Sequence, residues 1–239
     1  YVGSALSDGA AAGLVSRAPQ GLAIDAPLLM VDDTMDALNA LGAAARSRSS
    51  ARIVAVTGSA GKTGTKEALR HVLEAQGPTS ASRSSFNNHW GVPLSLARMP
   101  AETAFGIFEV GMNHAGEIEP LSRLIQPHVA IITTVEAAHL EYFDSVEAIA
   151  DAKAELYRAL PAHGTAVVCA DDKRMRARAQ ALVGQGLITY GLEESADLRV
   201  TGIELSSDGL TTTIDVLGRS VRLTSQALGR HNAVNAAGA

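Results

Sequence analysis

One cysteine in the whole chain, Cys169, has no partner to pair with, so an intrachain disulfide framework is excluded. Its place in the apolar run AVVCA marks it as core filler rather than a nucleophile, and a reducing cytoplasm fits such usage. No stretch of about 18 uninterrupted apolar residues occurs, so no membrane insertion is expected. The N-terminus lacks both the charged and the apolar regions of a signal peptide, and a start at Tyr1 rather than Met points to further sequence upstream. Basic residues are not in excess either: 20 Lys and Arg against 25 Asp and Glu, a net charge of −5 at pH 7, give no general affinity for nucleic acid or an anionic membrane. A charged partner must therefore be small and locally bound.

What is present is an alternation. A chain of 239 residues can bury a sizeable core, as one large domain or a main domain with an appendage. Short β-branched runs at 52–57 (RIVAVT), 105–110 (FGIFEV), 129–135 (VAIITTV), 165–170 (TAVVCA) and 187–190 (LITY) alternate with helical patterns. This predicts an α/β fold, a mostly parallel sheet with helices on both faces, whose ligands sit beyond the carboxyl ends of the strands. After about residue 193 the texture changes to RVTGIEL, GLTTTIDVL and SVRLTS, with Asp208 and Gly209 between the first two, predicting a small antiparallel β meander. Residues 1–46, with LLMVDD ahead of the helical DTMDALNALGAAAR, predict part of a small α/β domain, joined to the rest by the polar stretch at 47–52.

The most informative segment is 54–67, VAVTGSAGKTGTKE, an apolar strand entering a glycine-punctuated loop and then a helix opened by Lys62 and Thr63. Gly58 and Gly61 let backbone N–H groups approach phosphate oxygens, and the helix presents its positive end to the same anion. Lys62 would reach the outer phosphates and the Thr63 hydroxyl would face a magnesium ion. The longer pattern GxxxxGK[ST] wants glycine where this chain has Val56, so the match is to the shorter GxxGKT. A glycine turn with a solvated lysine is the bland alternative; the strand before and the helix after favour nucleotide binding.

Three further groups could carry chemistry. Glu109 ends an apolar strand, where a carboxylate is costly unless a cation or strong donors meet it, and beside a phosphate loop that cation would be Mg2+; capping a helix or pairing with an arginine is an equal alternative. His139, just past another strand and beside Leu140, reads by itself as a packed structural residue. Asp144 and Glu147 resemble a capping box for a helix running to Pro161, whose apolar stripe Val146, Ile149, Leu156 and Leu160 passes through Lys153. That lysine can snorkel to water, or lose its solvent, drop its pKa and capture CO2 as a carbamate, an oxygen ligand for metal; the residues alone favour the snorkel. Asn87 with Asn88, and Asn232 with Asn235, are amide pairs suited to ligand contacts, with turn formation and capping as the simpler readings.

Taken together, GSAGKTGTKE, NNHWGVPLSL, EVGMNHAGEI, AHLEYF with AKAEL, and GRHNAVN resemble, in order and approximate spacing, the Mur ligase family, ATP-dependent amide-forming enzymes of bacterial cell-wall synthesis. Lys66 with Glu67 and the NNxxGxPL segment resemble the branch that adds D-alanyl-D-alanine to UDP-N-acetylmuramoyl-tripeptide. The resemblance implies ATP and Mg2+ as cofactors and a cytoplasmic monomer. It implies a tripeptide carboxylate that attacks the γ-phosphate and an acyl phosphate that the dipeptide amine then displaces. It puts the loop from Gly58 through Ser59, Ala60 and Gly61 to Lys62, Thr63 and Gly64 on the nucleotide, with Asn232 and Asn235 beside it and Asn87 and Asn88 toward the substrate. Metal would fall to Thr63, Glu109, His139 and Lys153 as a carbamate, and Lys62, Glu109, His139 and Lys153 would be the catalytic set. Thr134 stands where the family commonly has asparagine, and Gly64 where it has threonine or serine, a change that loosens the first helical turn by up to about 1 kcal/mol. Residues 1–46 would be part of the N-terminal UDP-substrate domain and 47–239 the central ATP-binding domain, a C-terminal ligase domain lying beyond, so that this chain alone would form no amide. A folylpolyglutamate synthase-like ligase and a non-catalytic nucleotide-binding module are the competing readings. Glu109, His139 and Lys153 together argue against the module.

Overall fold

The computed structural model describes residues 1–83, 86–138, 141–207, 209–226 and 229–239. Its N-terminal part comprises α1 (Val2–Ser7), β1 (Gly13–Val15), β2 (Leu28–Met30) and α2 (Thr34–Ser47). Then follow β3 (Arg52–Thr57), α3 (Lys62–Glu74), β4 (Thr79–Ala81), α4 (Gly91–Ala97), β5 (Phe105–Glu109), α5 (Ile118–Ile125), β6 (Val129–Ile132) and α6 (Val146–Arg158). The chain continues through β7 (Thr165–Cys169), α7 (Lys173–Leu182), β8 (Leu187–Gly191), β9 (Leu198–Ser206), β10 (Gly209–Val216), β11 (Arg219–Ser225) and α8 (Arg230–Ala237).

One sheet runs in the order β11-β10-β9-β8-β7-β6-β3-β5-β4, parallel from β4 through β9 and antiparallel from β9 to β11. Because successive strand residues point to opposite faces, a continuous apolar strand serves two cores. Ile53 and Ala55 of β3 join Ile118 of α5, Ile149 of α6 and Met175 of α7 on one face. Val54 and Val56 join Leu69 of α3 and Val234 of α8 on the other. The predicted strands at 105–110 and 129–135 stop early, at Glu109 and Ile132. Just past Ile132, Thr133 N still donates to Thr57 O of β3 at 3.0 Å, while its hydroxyl turns to the loop after β3 and donates to Ala60 O at 2.5 Å.

The expected antiparallel meander is present as β9, β10 and β11, and β9 joins it to the parallel sheet through Tyr190↔Leu198 and Gly191↔Arg199; Asp208, expected in its first turn, lies outside the described residues. Two expectations are adjusted. The stretch 47–52 is packed rather than free: Ser49 and Ala51 are buried, and Arg46 at the end of α2 donates to Ile125 O at 2.8 Å and Gln126 O at 3.2 Å. The cap of α6 is Ser145, whose Oγ accepts from Ala148 N at 3.1 Å, while Glu147 pairs instead with Arg174 and Arg178 of α7. At the other end of α2, Asp33 accepts from Met35 N and Asp36 N as an N-terminal cap.

Candidate nucleotide and carboxylate site

The loop of residues 58–61 links β3 to α3 inside the sheet, between neighbours β5 and β6. Gly58 has φ 153° and Gly61 φ 82°, backbone that side chains disfavour. Space forbids them as well: a Cβ on Gly58 would collide with Thr133 Oγ1, and one on Gly61 with the Asn235 amide. The loop is braced by Ser59 N donating to Thr134 O at 2.7 Å and by Ser59 Oγ exchanging hydrogen bonds with the Glu136 backbone. The N-cap residue Gly61 has no side chain to cap α3, which leaves the first N–H groups of the helix open to an anion. Lys62 folds back and donates to Gly58 O at 2.8 Å. Burial lowers its pKa, with the Glu109 carboxylate acting in the opposite sense.

Glu109, at the carboxyl end of β5, is 2% exposed, and its oxygens are met by donors from two directions. Thr63 Oγ1 donates to Oε2 and Asn87 Nδ2 to Oε1, both at 2.9 Å. Neutral donors from α3 and the segment before α4 thus aim one carboxylate at the opening of the phosphate loop. Lys153 comes from the other side, on α6, 2% exposed and without a hydrogen-bond partner among the described residues. It does not snorkel. Desolvation, and secondarily the charge of Lys62, lower its pKa to about 7. Lys62 and Lys153 both line a cleft of about 990 Å³ whose far wall includes Met35 and Asn39 of α2 and whose rim includes Asn113 and Glu117.

Asn87 and Asn88 line that cleft too, though Asn88 also has the simpler role of accepting from Gly91 N, at 2.9 Å, at the start of α4. Asn235 is buried against Gly61 and within 3.5 Å of the Tyr190 hydroxyl, whereas Asn232, one turn earlier, is half-buried beside Gly64. A Cβ on Gly64 would meet Asn232 Oδ1 at an ordinary 3.7 Å, so its glycine is not enforced by space. His139 lies outside the described residues. Among the described residues no group of three or more His, Cys, Asp or Glu gathers to hold a metal. Magnesium, which takes one or two carboxylates plus phosphate and water, does not need one, and the hard oxygens of Thr63 and Glu109 suit it.

Two residues escaped the sequence reading, and a third, Lys66, drew notice there only as part of a motif. Thr133 closes the loop, as described. Lys66, 1% exposed, donates to Ser82 O at 2.9 Å, and Ser82 Oγ accepts from Glu109 N at 3.2 Å, so the buried amine braces the segment beside the carboxylate. Glu155 is buried two residues beyond Lys153, an acid on a helix face where the pattern gives no reason for one. The available signal was the same in both charged cases, a charge on the inward side of an amphipathic helix.

A phosphate-binding loop on an interior strand of a parallel sheet, with an open helix N-terminus and an oxygen donor pair beside it, defines a P-loop nucleotide-binding domain. Residues 56–239 match the model of the Mur ligase middle domain. The chain belongs to the Mur ligase family. It is 37% identical over 238 residues to the UDP-N-acetylmuramoyl-tripeptide--D-alanyl-D-alanine ligase of Escherichia coli strain K12, covering 99% of this chain and 52% of that protein. The crystal structure of MurF from Acinetobacter baumannii superposes with a TM-score of 0.86 at 33% identity, over 99% of this chain and 52% of the other. A MurF ligase from Thermotoga maritima, in complex with ADP, shares the fold at TM-score 0.85 and 24% identity, over 99% and 54%. The chain spans about half the length of the curated relatives it matches. Among the described residues no helix is long and apolar enough to cross a membrane.

Proposed function

We propose that this chain carries the ATP-binding part of a cytoplasmic, monomeric ligase that joins D-alanyl-D-alanine to UDP-N-acetylmuramoyl-tripeptide, releasing ADP and phosphate. The observation that carries the reading is the convergence of Lys62 and Lys153 on one cleft that also adjoins Glu109 through Asn87. A switch or scaffold that only bound nucleotide would have no use for a desolvated amine on the opposite wall. Residues 1–46 would then belong to the UDP-substrate domain and 47–239 to the ATP-binding one, with Met35 and Asn39 of α2 facing the acyl substrate.

In this reading ATP phosphates replace Gly58 O as the partner of Lys62 and accept from the open N–H groups of α3. Thr63 and Glu109, with His139, would hold magnesium, which when bound neutralises charge on the transferring phosphoryl group. Lys153, with a pKa of about 7, is substantially neutral near pH 7. Its amine can add to CO2, forming an N–C bond and releasing a proton, so that a cation becomes an anionic oxygen donor. The tripeptide carboxylate then attacks the γ-phosphate, and the acyl phosphate formed is opened by the dipeptide amine with loss of phosphate. Asn235, wedged against Gly61, shapes the loop under the nucleotide, and Asn232 flanks it. Asn87 orients Glu109, and Asn88 faces the acyl substrate.

The test is ADP release by the protein at its natural length, with UDP-N-acetylmuramoyl-tripeptide and D-alanyl-D-alanine in one arm and a folate with glutamate in the other. Release in the first arm alone, with pentapeptide product by mass spectrometry, is expected. Release in the second alone would assign it to the folylpolyglutamate synthase-like ligases instead.

A further inference from the structure

Glu155 presents a buried carboxylate, 5% exposed, to backbone groups of another element. Its Oε1 accepts from Gly116 N at 2.8 Å and its Oε2 from Glu119 N at 3.0 Å. Helix α5 needs such an acceptor. Its N-cap residue Glu117 makes no side-chain cap, because that carboxylate is turned to Asn113 N at 2.7 Å and His114 at 3.0 Å. The Glu119 side chain is taken up by Arg123. The open N–H groups at the start of α5 are therefore met from α6, where the positive helix end also favours a carboxylate.

What this clamp joins matters more than the cap itself. Residues 110–117 run from Glu109 at the end of β5 to the start of α5, and Gly111, Asn113 and Glu117 of that loop line the cleft. The near end of the loop is pinned by Asn87, whose Nδ2 donates to Glu109 while its backbone oxygen accepts from Gly111 N at 2.8 Å. The far end is pinned by Glu155, two residues from Lys153 on the same helix. The loop is thereby strung between Glu109 at one end and the helix of Lys153 at the other.

We propose that Glu155 is a positioning residue of this site: its carboxylate locks the loop of residues 110–117 to α6 and so fixes the separation between the cleft wall that receives the acyl substrate and Lys153. The assignment of that wall to the acyl substrate rests on the function proposed above; the clamp itself does not. Glutamine at 155 keeps the shape but loses one acceptor and turns an N–H group toward an N–H group.

The test uses Glu155→Gln in the protein at its natural length, with Glu155→Asp as a carboxylate-retaining control. The glutamine variant is expected to raise KM for UDP-N-acetylmuramoyl-tripeptide by about 10- to 100-fold, the range for groups that orient a metal ligand. KM for ATP should stay within about twofold, because the phosphate loop makes no contact with the clamp. Aspartate should recover part of the loss. In the same protein without substrates, amide exchange should quicken at 110–119 and remain unchanged in β3, β6 and β7. Equal KM values with only a lower Tm would reduce Glu155 to a helix cap, and exchange that quickens evenly across the sheet would overturn the proposal as well. If the unsubstituted protein releases no ADP with this substrate, the function reading fails and the exchange pattern alone decides the clamp.

Discussion

The two halves of the nine-stranded sheet obey different physics. Strands β3, β5, β6 and β7 bury every residue but the first, and both faces are covered by helices. In β11, at the far edge, every residue but the last is exposed, and β9 buries only Val200. Loop, carboxylate and amine all come from the doubly covered half, within one element of the carboxyl ends of β3, β5 and β6. Groups that must meet within fractions of an ångström are held by strands that cannot shift without opening two cores. The meander lengthens the sheet and packs α8 through Val200 and Ile214, which is all the site asks of it.

The largest effect should come from the covered half itself. Phe108, 2% exposed in β5, precedes Glu109, and Phe108→Ala is expected to cost about 3–5 kcal/mol in urea unfolding. A loss under 1 kcal/mol would mean that the site stands on something other than this core. Next comes the buried amine. The unfolded Lys153 titrates at its ordinary 10.5 and the folded one at about 7, so between those values the unfolded chain holds a proton that the native chain lacks. Stability contributed at this position therefore rises with pH across that window, and the penalty is complete below about 7. Lys153→Met, in degassed buffer without ligands, should stabilise the chain by roughly 3 kcal/mol at pH 6, with the gain fading toward pH 10. A gain independent of pH would show that the amine reaches water.

How much of this could be read beforehand follows the same division. The β3 span at 52–57 and the phosphate loop were legible because local chemistry, glycines between an apolar strand and a helix, determines them. Glu109 and Lys153 were visible as charges out of pattern, but the partners of Glu109 were not. Asn87 lies 22 residues from Glu109, and Thr63 lies 46. No periodicity encodes such a meeting. Glu155 stayed hidden for the same reason, since its partners are backbone groups 36 and 39 residues away. The fusion of meander and main sheet rests on two residue pairs between β8 and β9, too short a register to announce itself.

Smaller, and confined to the ligand, is the effect of Lys62→Ala. The side chain is half-buried and among the described residues bonds only a loop carbonyl, so its removal takes a positive charge from the phosphate site but little from the core. Affinity for Mg·ATP by calorimetry should fall about 10- to 100-fold, as for loss of a hydrogen bond to a charged group, with Tm nearly unchanged. Equal affinity would remove the loop from the nucleotide site.

The smallest effect should come from the edge of the sheet. Val221 of β11 pairs with Ile214 of β10 and is 40% exposed, so Val221→Thr keeps the β-branched shape that a strand prefers and places its hydroxyl in water. The expected change is within about 0.5 kcal/mol, with ATP affinity untouched. The same substitution at Ile131 of β6, 2% exposed, removes a methylene group and buries a hydroxyl among Val56, Ile107 and Val167, and should cost at least about 2 kcal/mol. The ratio of the two is the useful quantity. If Val221→Thr costs as much as Ile131→Thr, the outer face of β11 is covered in the folded protein by something that buries it, and the meander would have to be counted with the covered half.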